Sequence, residues 1–249
     1  MLIGITGEHS KVVTHIWQLL DIFYNKEPRK GSHRKFVKNK IKKDKYLGAY
    51  VMRSDFKDKY ILTKAIQVAS LMTGVDQYDF INRPDLCCQT FVGNRMKNYM
   101  KASDLLYEFY NMMREQIGSN VWINALFADY KAIQQWPEYG LTAAGGRIPV
   151  GMNCIYPYWI VGDLGHQDEF FFIKDKHGIV INTNSLADTI YARDYNFDFQ
   201  FDPLPDVLKL ESGEIVDDSL DSLIQQTYDI MVRCEVIKPV ENPNVTNSQ

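Results

Sequence analysis

The spacing of apolar residues along the chain predicts strands that alternate with amphipathic helices. The opening run Met1–Thr6 is short and apolar, as expected of a buried strand, and Lys11–Tyr24 then carries apolar residues at helical spacing. Further along, an apolar run at Tyr158–Gly162, a helical stretch at Gln167–Lys176 and an apolar run at Ile179–Ile181 follow one another closely. Strand, helix and strand in that order are typical of a parallel crossover, so the pattern predicts an α/β fold with a mostly parallel sheet.

Four more segments have the pattern of helices, with residues that cap or end helices at their boundaries. Gly74 and Gly118 are stop signals, and Asn120 is a start signal. The predicted helices are Tyr60–Thr73, Ser103–Gln116, Val121–Gln135 and Asp217–Val232. Between them, residues 76–100 are polar and irregular, residues 137–157 have the Gly and Pro content of a loop, hairpin or lid, and Val207–Leu210 is a candidate for the last strand.

Charge is distributed unevenly along this pattern. The whole chain has a net charge of −3, which argues against a uniformly basic nucleic-acid-binding protein. Residues 26–45, called the basic segment below, contain many Lys and Arg with few apolar residues, and the rest of the chain is acidic. Three interpretations are open. The segment binds nucleotide phosphates, it contacts nucleic acid or a protein partner, or it is an exposed loop or helix whose charges only interact with solvent.

Several classes of protein are excluded by the composition. No apolar run approaches the length needed to span a membrane, and the N-terminal residues lack the pattern of a secretory signal. The four cysteines show no CxxC spacing and the five histidines show no metal-ligand spacing, so neither a disulfide framework nor a metal site is predicted. The sequence therefore predicts a protein without a membrane span, in a reducing, cytoplasmic compartment.

The turn after the first predicted strand is a candidate phosphate site, because ligands of parallel sheets bind at the carboxyl ends of strands. Gly4, Gly7, Ser10 and Lys11 are the candidate phosphate- and ATP-binding residues, with Lys11 as the lysine that reaches the transferred phosphate. The full pattern GxxxxGK[ST] is not met, since Lys11 comes one place late. The other interpretation is a plain strand, turn and helix with an exposed lysine in the first helical turn.

The order of the motifs resembles that of the deoxynucleoside monophosphate kinases of tailed phages. The matching segments are LIGITG at Leu2–Gly7, a Lys-bearing helix and Gly turn at Leu62–Gly74, Met113–Ser119, Asn120–Phe127, Asp163–Glu169 followed by His177–Ile181, and Val207–Leu210 with Ser219–Leu223. Their order and approximate spacing agree over residues 1–232, and Asn120–Phe127 is the most specific of them.

This resemblance implies a fold and an activity. The fold is a P-loop nucleoside monophosphate kinase-like three-layer sandwich with helical insertions. The activity is transfer of the γ-phosphate of ATP to a deoxynucleoside monophosphate, with Mg²⁺. Lys11 and Asp163 are then the catalytic residues, where Asp163 either holds metal or orients the acceptor, or is only a helix cap.

The resemblance also implies a set of residues that bind the nucleotide, namely Lys64, Arg114, Trp122, Glu169 and Arg193. Each has a structural alternative. Lys64 and Arg114 are equally consistent with surface ion pairs. Trp122 fits a core position, and Glu169 fits a solvated helix face.

Departures from the family pattern support a second hypothesis. The phosphate loop lacks its Gly-Lys-Ser/Thr core, and Gly165 stands where the family has an Arg. Arg147 or Arg193 would have to take over the role of that missing Arg. The second hypothesis is a kinase-like binding or structural phage protein without catalysis, associated with the virion and using the basic segment as a partner or nucleic-acid contact. The kinase hypothesis instead implies the host cytoplasm.

On either hypothesis the domain organisation is the same. Residues 1–237 are predicted to form one kinase-like domain, with a basic insertion or loop at 26–59 and a helical acceptor or lid region at 76–157. Residues 238–249 are predicted to be a flexible tail. The oligomeric state is left open by the sequence.

Overall fold

A computed structural model describes residues 1–28, 30–42, 51–91, 97–131, 133–134, 139–141, 147–149, 154–183, 197–202 and 217–238. The strands are β1 (Leu2–Thr6), β2 (Lys57–Lys59), β3 (Cys87–Phe91), β4 (Lys97–Lys101), β5 (Ile133–Gln134), β6 (Tyr139–Leu141), β7 (Arg147–Pro149), β8 (Cys154–Ile155), β9 (Trp159–Val161), β10 (Ile179–Asn182) and β11 (Phe199–Gln200). The helices are α1 (Ser10–Asp21), which continues into a π-helical turn at Ile22–Lys26, then α2 (His33–Ile41), α3 (Ile61–Thr73), α4 (Gln77–Asn82), α5 (Ala102–Gln116), α6 (Val121–Phe127), α7 (Gln167–Asp175) and α8 (Asp217–Arg233).

Five of the strands form one parallel sheet flanked by helices, which confirms the predicted α/β class. Their order across the sheet is β11-β10-β1-β9-β2. The predicted crossover is β9, α7 and β10, and β1 lies between the two strands that α7 joins. The pairing of β1 with β9 is parallel, with Gly4 opposite Val161.

Gly4 is a packing residue of this sheet. A Cβ atom at this position would lie 2.4 Å from Leu164 Cδ1 and 3.3 Å from Ile173 Cγ1. Gly4 lies inside β1, before the turn that follows, and its role as a phosphate-binding residue stays a prediction.

The chain groups into two compact units, each made of separate stretches. Unit 1 combines Met1–Gly4 with Asp58–Gly178, and unit 2 combines Ile5–Lys57 with Ile179–Gln249. The prediction of one domain over residues 1–237 stays a prediction.

Within unit 1, α3 ends at Gly74 as predicted, with a left-handed φ of 74° that favours glycine. Residues 76–100, predicted to be irregular, instead contain α4 and the antiparallel hairpin of β3 and β4. The helix begins where the Asp76 carboxylate accepts a hydrogen bond from the Tyr78 N–H at 2.7 Å. Neither element has the apolar periodicity that would have predicted it.

The prediction of one helix over Val121–Gln135 was wrong, because α6 ends at Phe127. The chain turns there, and Asp129 accepts a hydrogen bond from Lys64 Nζ at 2.6 Å. It then enters β5, which pairs antiparallel with β8. Within residues 137–157, predicted to be a loop, hairpin or lid, β6 and β7 pair antiparallel.

Part of the basic segment in unit 2 is a helix, α2, that packs against α8. Its Val37 side chain is fully buried, although the segment has few apolar residues. Lys38 Nζ lies 2.5 Å from Asp221 Oδ2, and Arg34 Nη2 lies 2.5 Å from Gln225 Oε1. Polar contacts as well as a buried side chain therefore hold α2 against α8. That the other Lys and Arg side chains of the basic segment bind a nucleotide or a partner stays a prediction.

The two edge strands of the sheet, β2 and β11, were not predicted. They have three and two residues, and β2 is entirely charged. Edge strands need no apolar pattern, and charge on them disfavours pairing with other chains. The predicted strand Val207–Leu210 and nearly all of the tail lie outside the described residues. No described helix is both long and apolar enough to cross a membrane.

Candidate functional site

The turn after β1 links strand and helix through only three residues, 7–9, in unit 2. Gly7 has a φ of 98°, which requires the conformational freedom of glycine. The Ser10 N–H donates to the Gly7 carbonyl at 3.1 Å, and the His9 N–H donates to Thr183 Oγ1 at 3.2 Å. The Thr183 hydroxyl donates in turn to the Thr6 carbonyl at 2.8 Å. The turn is thus closed by hydrogen bonds within the protein.

Two of the backbone N–H groups of this turn are already used within the protein. A phosphate-binding loop directs consecutive backbone N–H groups at the anion, and here those of His9 and Ser10 already have acceptors. Lys11 is exposed in the first turn of α1, which agrees with the alternative interpretation of an exposed lysine at the start of a helix. In the part of the chain that the structure describes, no group of three His, Cys, Asp or Glu side chains has the arrangement of a metal site.

Asp163, which follows β9 in unit 1, accepts two hydrogen bonds from the start of α3. The Ile61 N–H lies 2.7 Å from one carboxylate oxygen, and the Leu62 N–H lies 2.8 Å from the other. This is the geometry of a helix cap supplied from outside the helix. Burial raises the pKa of Asp163 to about 6, the negative charge of Glu169 acts in the same direction, and the two N–H donors oppose them.

The raised pKa of Asp163 predicts a pH dependence of stability. As the pH rises from about 4 to about 6, the unfolded chain releases this proton first, so the folded protein loses stability over that interval, by up to about 2–3 kcal/mol. We expect Asp163→Asn to flatten this part of the profile, measured as urea midpoints from pH 4 to pH 7. Asp76→Asn is the matched control, because Asp76 also caps a helix but is exposed. An unchanged slope in Asp163→Asn would contradict the assignment.

Glu169 is the centre of a buried hydrogen-bond network in unit 1. Its side chain is 1% exposed, so the interpretation as a solvated helix-face residue was wrong. One carboxylate oxygen accepts from the N–H groups of Gly165 and His166, at 2.9 and 3.0 Å. The other accepts from the Tyr110 hydroxyl at 3.2 Å and from Arg114 Nη1 at 3.4 Å. Glu169 therefore ties α5 to the segment that precedes α7.

Arg114 is held by acids rather than left exposed as a free cation. Its side chain is 14% exposed and lies 3.4 Å from Glu169 and 3.9 Å from Asp168. Burial, together with the charge of Glu169, raises the pKa of Tyr110, so its hydroxyl stays protonated and can donate. Arg114 thus forms ion pairs, as its structural alternative predicted, but these pairs are buried and not on the surface.

Trp122 supports this network from the core. It is almost fully buried, and its indole N–H donates to the Tyr110 carbonyl at 3.1 Å. The rings of Trp122 and Tyr110 stack with centroids 5.6 Å apart, and Tyr110 stacks with His166 at 6.1 Å. Trp122 therefore positions Tyr110, which matches the core alternative.

Two predicted nucleotide-binding residues remain, Lys64 and Arg193, together with Arg147 as the predicted substitute for the missing Arg. Lys64 Nζ lies 2.6 Å from Asp129 Oδ2, so Lys64 forms the ion pair that was its structural alternative. Arg193 lies outside the described residues. Arg147 belongs to β7, and its predicted role stays a prediction.

A cavity of about 450 Å³ opens beside the network, and we call it the helical cavity. Its lining comes from α3, α4, α5 and the segment before α7: Leu62, Phe80, Ser103, Leu106, Tyr107, Tyr110, Asn111 and His166. Leu62 and His166 follow the carboxyl ends of β2 and β9, where ligands of parallel sheets bind. Its size, its aromatic lining and its few polar groups are those of a small-molecule site.

Most residues of the helical cavity were missed by reasoning from the sequence. Tyr107 and Tyr110 lie three residues apart on α5, which places them on neighbouring positions of one helix face, and this spacing was the available signal. Of the predicted site residues, Glu169, Arg114 and Trp122 come together around Tyr110, whereas Lys64 does not join them.

Comparisons with protein-family models, curated proteins and solved structures gave no match for this chain. The resemblance to monophosphate kinases therefore stays a prediction from the sequence motifs.

Proposed function

We propose that this chain binds a deoxynucleoside monophosphate in the helical cavity, as a nucleoside monophosphate kinase-like protein. The observation that carries the proposal is an aromatic-lined cavity, two of whose residues, Leu62 and His166, follow the carboxyl ends of parallel strands. The Tyr107 side chain, 70% exposed, offers a ring on which a nucleobase stacks. Ser103 and Asn111 add polar groups that can hydrogen-bond to the base or sugar.

The buried network makes one wall of this cavity rigid. Glu169 holds the Tyr110 hydroxyl and the His166 N–H, and Trp122 holds the Tyr110 backbone. A wall fixed by packing and hydrogen bonds loses little conformational entropy when a ligand binds. The ligand therefore meets a surface that is already in its binding arrangement.

Phosphoryl transfer from ATP to the bound monophosphate is the activity proposed for this fold, and its motivation is the order of the sequence motifs. Mg²⁺-ATP would supply the phosphoryl group and neutralise its charge. In the turn at 7–9, however, the N–H groups of His9 and Ser10 already donate to acceptors within the protein. The same closed turn favours a second candidate function, a kinase-like protein that binds the nucleotide without turning it over.

Calorimetric titration with dAMP, dCMP, dGMP and dTMP tests the binding proposal. We expect at least one of them to bind, and Tyr107→Ala to weaken that binding about tenfold, since loss of one base-stacking ring costs about 1–3 kcal/mol. Tyr78→Ala is the matched control, because Tyr78 is similarly exposed on α4 and does not line the helical cavity. The proposal fails if none of the four nucleotides binds, or if the two variants bind alike.

ADP formation from Mg²⁺-ATP with each nucleotide separates the two candidate functions. Turnover that is lost in Lys11→Ala and retained in Lys35→Ala, an exposed lysine of α2, supports the kinase. Nucleotide binding without any turnover, in protein shown to be folded, supports the second candidate.

A further inference from the structure

One histidine of unit 2 joins the start of the basic helix α2 to two neighbouring elements. His33 is the first residue of α2, and its half-buried ring stacks on that of Tyr228 in α8, with centroids 4.6 Å apart and planes 12° apart. The Nδ1 atom of His33 lies 2.9 Å from the Tyr24 hydroxyl, in the π-helical turn that follows α1. The imidazole therefore belongs to the contact that attaches α2 to the rest of unit 2.

The two ring nitrogens of His33 have different surroundings. Nδ1 shares a hydrogen bond with Tyr24, whereas Nε2 is shielded from solvent and has no hydrogen-bond partner among the described residues. Burial, and then the neighbouring Tyr228, raises the pKa of Tyr24, so its hydroxyl keeps its proton. In a neutral imidazole, Nδ1 can hold the single N–H group and donate it to Tyr24. In an imidazolium Nε2 also carries an N–H group, which would be buried without an acceptor, at a cost in free energy.

The charged groups around His33 act on its proton in opposite directions. Burial lowers the pKa of His33 and the positive charge of Arg34 on α2 lowers it further, while the Asp229 carboxylate of α8 raises it. Asp229 is exposed and accepts a hydrogen bond from Gln225 Nε2 at 2.8 Å, so solvent and a second donor share its charge. The face of the Tyr228 ring also favours a cation. The net direction is downward, so the closed cluster favours the neutral ring.

Opening of α2 would remove this constraint on His33. Lys38 and Arg34, four residues apart on α2, reach Asp221 and Gln225 of α8, so the contacts of α2 with α8 continue from His33 along the helix. If α2 moves away from α8, the imidazole loses its stacking partner and gains access to water. It then has the pKa of an ordinary histidine, about 6.5. The open and closed forms of α2 therefore bind the His33 proton with different affinity.

We propose that protonation of His33 loosens α2 from α8, so that α2 is attached at neutral pH and opens more often in acid. As the pH falls below about 6.5, the open form takes up the proton before the closed form does. The closed form loses population until the pH falls below its own, lower pKa, and each pH unit between the two values changes the opening equilibrium by up to about tenfold. This device lies in unit 2 and does not depend on nucleotide binding in the helical cavity.

Amide hydrogen exchange of residues 35–41, read by mass spectrometry on the full chain from pH 5.0 to pH 7.5, measures this opening. His33→Phe keeps an aromatic ring beside Tyr228 and carries no proton. We expect protection of these amides to fall about fivefold or more between pH 7.5 and pH 5.0 in the parent chain, relative to His33→Phe. The intrinsic pH dependence of exchange is the same in both chains and cancels. A uniform loss of protection in the variant does not enter the comparison, since only the slope against pH is read.

A second histidine and a direct titration complete the test. His177→Asn is the matched control, because His177 is an exposed histidine of unit 1 and asparagine tolerates its left-handed φ of 55°. We expect this control to keep the slope of the parent chain. Titration of the His33 ring protons by NMR in the parent chain, which needs no substitution, is expected to give a midpoint below about 6.5. The inference is overturned if His33→Phe has the slope of the parent, if His177→Asn flattens it equally, or if His33 titrates at or above that pH.

Discussion

Replacing Glu169 by glutamine is expected to lower the free energy of unfolding by about 3–5 kcal/mol, since it removes the charge from a buried ion pair. The carboxylate of Glu169 accepts four hydrogen bonds, and the partner Arg114 is 14% exposed. A glutamine has one acceptor oxygen, and its NH₂ group would face two of the donors. Arg114 would then keep a buried charge with less compensation, which is the costly part of the change.

Urea denaturation followed by far-ultraviolet circular dichroism measures this loss. Glu115→Gln is the matched control, because Glu115 lies on the same helix as Arg114 but is exposed. We expect the control to shift stability by less than about 0.5 kcal/mol. If Glu169→Gln were as small in effect as the control, the network would not stabilise unit 1, and the rigid wall proposed for the helical cavity would lose its basis.

A second large effect is expected at Gly178, which links α7 to β10. A Cβ atom there would lie 2.7 Å from Ile173 Cγ2, 2.9 Å from the Ile173 carbonyl oxygen and 3.1 Å from the Leu2 carbonyl oxygen. Two of these neighbours are backbone atoms in a helix end and a sheet strand, so they cannot move aside without breaking hydrogen bonds. We expect Gly178→Ala to destabilise the protein by about 1–3 kcal/mol or more through overpacking.

Gly165→Ala is the control for this substitution. Gly165 precedes α7, and a Cβ atom there would meet no heavy atom within 4 Å. We expect its stability to stay within about 1 kcal/mol of the parent. Comparable thermal midpoints for the two variants would show that the close approach at Gly178 does not limit the packing of α7.

The elements that the sequence predicted well depend on contacts between near neighbours. The start and end of β1, the stop of α3 at Gly74 and the succession of β9, α7 and β10 follow from short apolar runs, helical spacing and glycine at left-handed positions. The predicted helix extended past Phe127, where α6 ends, because its end involves a contact between residues far apart in the chain. The chain after Phe127 keeps helical spacing, yet it turns there, and Asp129 in this turn pairs with Lys64, which is 65 residues away in the chain.

The candidate site was only partly predictable for the same reason. Glu169, Arg114 and Trp122 were named from motifs, yet whether their side chains face inward could not be read from the motifs. Glu169 bonds to residues 55 and 59 positions away, and only packing of α5 against the segment before α7 turns a charged helix residue into a buried centre. The tyrosines of the helical cavity carry no motif at all.

By itself, then, the sequence determined an α/β chain with a parallel sheet, the positions of most of its long elements and the short turn after β1, because each follows from local periodicity and local hydrogen bonding. The tertiary structure decided that this turn is closed by Thr183, that Asp163 caps α3, that Glu169 is buried and that α3, α4 and α5 together line the helical cavity. Each of these depends on groups far apart in the chain, whose meeting is set by how helices and strands pack and not by the residues next to them.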